Sequence, residues 1–165
     1  MNKIIRLFVV VLCILVSISL LTAQQQLKVE GKAEEYHQAM TLEFSHTADH
    51  AKALAKQTTL GRDLNMYIAK QHVDEIGRSL ENIRTDHAMV HKTYSDAEMT
   101  AIQENHNVIL DSHTKSIEVF KSLKAEVQKT APDLKRVKDF SNAIYEYAGK
   151  ALSEHQQAMM KLDVK

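Results

Sequence analysis

The 165-residue chain has one cysteine, one proline, four glycines and no tryptophan, and its 21 basic residues are matched by 21 acidic ones. Each scarcity removes a class of explanation. The cysteine, Cys13, stands in an N-terminal apolar run behind Val11–Leu12, without the small residue that a lipoprotein signal needs before its cysteine. Proline occurs only at position 132 and glycine only at 31, 61, 77 and 149, so helix breakers are rare. No stretch alternates in the β-branched manner of a strand, and no low-complexity tract follows Gln24–Gln26. The charge balance leaves no electrostatic footprint for nucleic acid or anionic lipid. A Cys-x2-Cys-His segment is missing, which excludes covalent haem.

What is present begins with a leader pattern. Lys3 and Arg6 precede an apolar run from Leu7 to Leu21, and the small residues Thr22–Ala23 come before Gln24. This layout predicts a cleaved signal peptide over residues 1–23, a mature chain of residues 24–165 and export to a periplasm or to the extracellular space. The run is short for a membrane anchor, so the mature protein is expected off the membrane. Cleavage removes Lys3, Arg6 and Cys13, leaving a formal charge of about −2 and no thiol for disulfides, thiolate ligands or nucleophilic catalysis. About 140 remaining residues suit a single domain.

Ala, Leu, Lys, Glu, Gln and Met dominate that remainder and predict an all-α fold. Helical stripes follow Ala33, His37, Met40, Phe44, Ala48, Ala51 and Ala55 over residues 32–58, then Ala69, His72, Val73, Ile76, Leu80, Ile83, His87 and Val90 over 62–92, continued by Tyr94. A third stripe passes through Ile102, Asn105, Ile109, Ser112, Ser116, Phe120, Leu123 and Val127 over 96–129. The fourth takes Val137, Ser141, Ile144, Ala148, Ala151, His155, Met159 and Leu162 over 132–162. Ser95 and Glu98 have capping-box spacing, and Pro132 suits the first turn of the last helix. Four helices of similar length with short links predict an up-down-up-down antiparallel four-helix bundle.

The nine histidines carry the chemical information. At about 100° per residue, His37, His87 and His155 fall near the centres of their stripes, with His106, His91 and His113 at the edges. Folding the chain near residues 61, 95 and 131 brings His37, His87, His106 and His155 to one height, so that all four helices supply an imidazole to one layer. His91 follows His87 by four residues, a spacing that places two imidazoles on one ion. Glu34 and Glu98 reach about that height as oxygen donors, and Met159 offers a thioether for copper. His72 and His113 extend the polar stripe or form a weaker second site. Tyr94 is a candidate hydrogen-bond donor behind the ligands. His46 points away from the stripe of its helix and His50 lies at its boundary, so both stand outside the predicted layer.

His87-x3-His91 and His106-x4-Asp111 resemble two ligand motifs of hemerythrin-type oxygen-binding bundles, which implies a di-iron centre between four helices. Glu34-x2-His37 is similar to the glutamate-x2-histidine element of ferritin-like di-iron proteins. The histidine-x3-glutamate element of the first family and the bridging glutamates of the second are missing, and Asp111 lies off the stripe that holds Ile109. Few carboxylates and many imidazoles favour zinc or copper over iron.

An inward polar group without a partner costs about 1–3 kcal/mol, so a layer of four imidazoles is a poor core unless an ion satisfies it. The expected function is therefore binding of Zn²⁺ or Cu²⁺ for buffering, carriage or sensing, with the metal ion as partner and a homodimer left open. Two other classes compete: a metal-independent helical interaction or stress-protection module with a polar histidine core, and a di-metal redox or hydrolytic enzyme. The enzyme reading lacks a long loop to shape a substrate pocket and a nucleophile beside a matched base. A b-type haem held by His and Met is a variant of the binding reading.

Overall fold

The computed structural model describes residues 33–59 and 64–164, and these form four helices with no strand among them. Helix α1 covers 33–59, α2 Met66–Val90, α3 Asp96–Val127 and α4 Leu134–Lys161. The expected leader over residues 1–23 lies outside the described residues.

Local chemistry sets the helix starts. At α2, Asn65 accepts from the amides of Tyr67 and Ile68, so the helix begins at Met66, later than the hydrophobic pattern suggested. At α3, the Ser95 hydroxyl accepts from the Glu98 amide while the Glu98 carboxylate accepts from the Ser95 amide, completing the capping box. At α4, Asp133 takes the cap by accepting from the Lys135 and Arg136 amides, which places Pro132 just before the helix instead of in its first turn.

The buried faces follow the expected stripes. Met40, Phe44, Ala51 and Leu54 of α1 pack with Val73, Ile76, Leu80 and Ile83 of α2, Ile109, Leu123 and Val127 of α3, and Val137, Ile144 and Ala151 of α4 in one apolar core. Gly77 on α2 is a packing requirement, since a Cβ there would stand 2.6 Å from Cζ of Phe120 on α3. Buried Glu126 closes the link between α3 and α4: its carboxylate accepts from the Asp133 amide at 2.9 Å and pairs with Lys129 and Arg136 at 2.7 and 3.4 Å. Cross-helix polar contacts add registry. Asn82 of α2 donates to Glu43 of α1 at 2.8 Å, while Asn105 of α3 donates to Glu154 at 2.7 Å and accepts from Lys161 at 2.6 Å, both on α4. No described helix is long and apolar enough to cross a membrane.

Candidate functional site

Five histidines from all four helices or their ends divide into two groups around a small cavity. In the first group His155 of α4 lies 3.2 Å, through Nε2, from the main-chain carbonyl of His37 and 3.5 Å from His37 Nδ1. A carbonyl only accepts, so His155 carries its proton on Nε2. His37 Nδ1 is then an acceptor, and the His37 proton sits on Nε2, from which it donates to the Tyr94 oxygen 2.7 Å away. Two consequences follow from this assignment of tautomers. The Nδ1 of His155 keeps a free lone pair, and the Tyr94 hydroxyl keeps a proton to donate. Burial, with Glu98 nearby, raises the Tyr94 pKa, so that proton stays in place across the physiological range.

The second group is His87 on α2, His91 at its C-cap and His106 on α3. His87 and His106 stack with centroids 5.0 Å apart and planes at 22°, and His91 tilts against His106 at 5.1 Å. His106 is 8% exposed, and neither of its ring nitrogens has a hydrogen-bond partner. Two unpartnered nitrogens on one buried ring are unusual, because buried polar atoms nearly always find a partner.

Between the groups lies a cavity with about 20 Å³ open to the centre of a water-sized sphere, walled by His87, His91, His106, His155, Tyr94 and Met40 and closed by aliphatic side chains such as Ile102 and Ile109. That volume holds one water or one ion. It has no room for a porphyrin.

The electrostatics keep His37, His87, His106 and His155 neutral and therefore basic in the Lewis sense. Burial, then His155 and His87, pulls the His37 pKa down to about 4. Burial, then His106, His91, His113 and His155, does the same to His87, also to about 4. His106 is lowered by burial and by His91, and His155 by burial against the opposing pull of its bond to the His37 carbonyl. A neutral imidazole presents a lone pair at one nitrogen, which is the form that coordinates metals.

Among the described residues, no three His, Cys, Asp or Glu side chains converge to hold an ion as they stand. His87 and His106 stack with planes at 22°, and imidazole lone pairs lie in the ring plane, so the lone pairs of these two rings do not converge on one point as they stand.

The structure separates the sequence candidates. His87, His91, His106 and His155 share the cavity, and His37 stands behind them, held by Tyr94 and His155. Glu34 is exposed and accepts from Gln38, and Glu98 is exposed and committed to its capping box. Met159 accepts a weak bond from the Thr41 hydroxyl at 3.8 Å, while Met40 is the thioether side chain in the cavity wall. His113 donates from Nε2 to the Leu80 carbonyl at 3.0 Å, and His72 pairs with His50 at 2.9 Å. The sequence pattern marks Met40 only as an apolar position of the α1 stripe. Its position one turn along from His37 on the same stripe was the available signal.

Compared with protein-family models, curated proteins and solved structures, the chain finds no match.

Proposed function

We propose that this protein binds a transition-metal ion, Zn²⁺ or Cu²⁺, in the cavity between His87, His91, His106 and His155, and that it does so outside the cytoplasm. The observation that carries the reading is His106: a buried ring with two unpartnered nitrogens, beside a cavity of ionic size with three other imidazoles in its wall. A bound ion gives that ring its missing partner. The donor set is rich in nitrogen and poor in carboxylate, which favours zinc or copper. His37, donating to Tyr94 and accepting from His155, acts as an orienting residue for the His155 ligand.

The reading extends to the architecture. The pairs Glu43–Asn82 and His50–His72 nest about the link between α1 and α2, as antiparallel neighbours require, in support of an up-down-up-down bundle. The leader pattern of residues 1–23 supports export of a cleaved chain. Buffering, carriage and sensing all use reversible binding of this kind.

The test is a calorimetric titration of the purified, chelator-stripped protein with Zn²⁺ and Cu²⁺. Submicromolar binding that weakens at least about tenfold, or about 1.4 kcal/mol, in His106→Leu and in His155→Ala, with helicity retained by circular dichroism, supports the site. Binding no tighter than about 100 μM, or equal binding by folded variants, rejects it and leaves a metal-independent module with a polar histidine core.

A further inference from the structure

The make-up of the cavity wall bears on the charge of the ion as well as on its place. Among the described residues, the wall offers the imidazoles of His87, His91, His106 and His155, the side chain of Met40 and the phenol of Tyr94, set in aliphatic carbon. No carboxylate is among them. Glu34 is exposed and bonded to Gln38, and Glu98 is exposed and engaged in its capping box. Glu154 accepts from Asn105. Once the imidazoles have released their protons to coordinate, every donor in the wall is uncharged.

Charge then decides which ion such a site favours. The cost of moving an ion from water into apolar surroundings rises with the square of its charge, so a divalent ion costs about four times what a monovalent one does. Neutral donors offset part of that cost and supply no countercharge. A Cu²⁺ ion also asks for a tetragonal shell, which the cavity does not offer. It holds one ion without a second site for bound water, and among the described residues no three His, Cys, Asp or Glu side chains converge. Cu⁺ has a filled d shell, imposes no tetragonal geometry and accepts fewer ligands.

Met40 adds a second, chemical preference. It is 1% exposed and brings α1 to the wall, while His37, one turn away on the same helix, is turned to Tyr94 and His155. A thioether is soft and selects Cu⁺, and the three rotatable bonds of methionine let its sulfur adjust to an ion in the cavity. Leucine would fill a similar volume and offer no donor. Building on the metal-binding reading of this cavity, we infer that it holds copper as Cu⁺ in preference to Cu²⁺, with the thioether of Met40 as a ligand beside the free nitrogens of His106 and His155. The ion enters already reduced, so binding itself transfers no electron.

The experiment is an anaerobic titration of the chelator-stripped protein with Cu⁺ against a chromophoric Cu⁺ chelator, beside separate titrations with Cu²⁺ and Zn²⁺. Cu⁺ is expected to bind at least about tenfold more tightly than Cu²⁺, and X-ray absorption at the copper edge of the Cu⁺ protein is expected to show one sulfur neighbour beside the nitrogens. Met40→Leu should remove that sulfur and weaken Cu⁺ at least about tenfold, by more than it weakens Zn²⁺. The inference is overturned if Cu²⁺ binds as tightly as Cu⁺, if the wild-type spectrum lacks sulfur, or if Met40→Leu affects Cu⁺ no more than Zn²⁺. In each of those cases Zn²⁺ binding that depends on His106 leaves the metal-binding reading standing, whereas a protein that takes none of the three ions defeats both. The wild-type spectrum and affinities decide the matter even where the leucine variant fails to fold.

Discussion

His106 sets stability and function against each other. In the metal-free protein its two nitrogens lack partners, and an unsatisfied buried group costs about 1–3 kcal/mol, so an apolar side chain of similar size suits the position better. His106→Leu is therefore expected to raise the unfolding free energy of the stripped protein by about 1 kcal/mol in urea, while losing the stabilisation that added metal confers. A loss of stability on that substitution without metal would mean that the ring is already satisfied. Acid acts on the same layer. Folded His37 and His87 take up protons only near pH 4, against 6.5 for the ordinary side chain, so between those values the unfolded chain holds more protons. Stability is then fully present above about pH 6.5 and declines as the pH falls toward 4. The urea midpoint of the stripped protein should accordingly be lower at pH 5 than at pH 7, and His37→Gln should flatten that dependence. Tyr94→Phe removes the acceptor of the His37 Nε2 proton and is expected to destabilise by about 1–2 kcal/mol.

Among the elements, α2 and α3 owe their ends and their approach to single residues. Ser95→Ala removes one half of the α3 capping box and is expected to cost about 1 kcal/mol, read from the thermal or urea midpoint. Gly77→Ala tests the approach of α2 to α3. Alanine favours a helix over glycine by about 1 kcal/mol, but its Cβ meets a rigid ring, and overpacking costs about 1–3 kcal/mol. The expected net effect is destabilisation of about 1 kcal/mol, and Phe120→Leu should relieve it in the double variant. These elements were largely legible in the sequence, because the i, i+3, i+4 recurrence of Met40, Phe44, Val73, Ile76, Ile83, Ile109, Val137 and Ile144 reflects the burial that stabilises helices. The helix starts were less so: the hydrophobic pattern extends the helices over Leu64 and Pro132, whereas side-chain caps at Asn65 and Asp133 fix the first turns of α2 and α4.

The whole molecule places one layer of imidazoles at one height and a second pair about four turns away. The height of the layer was legible, since folding the chain at its links brings His37, His87, His106 and His155 together. Which of them face the cavity was not, because that depends on ring orientation: His37 turns to Tyr94, and Glu98 turns to its own helix start. The same folding arithmetic about residue 61 pairs 50 with 72, yet the stripe of α1 alone leaves His50 at its boundary. A boundary position on one helix becomes a contact when the neighbouring helix presents a polar side chain at the same height, as His72 does.

The central claim is tested most directly by X-ray absorption on the protein loaded with one equivalent of Zn²⁺ and desalted. The account predicts a retained ion with three or four nitrogen neighbours at about 2.0–2.1 Å and imidazole multiple scattering, reduced by one imidazole in His155→Ala. Zinc lost on desalting, or held by an oxygen-only shell, would contradict it.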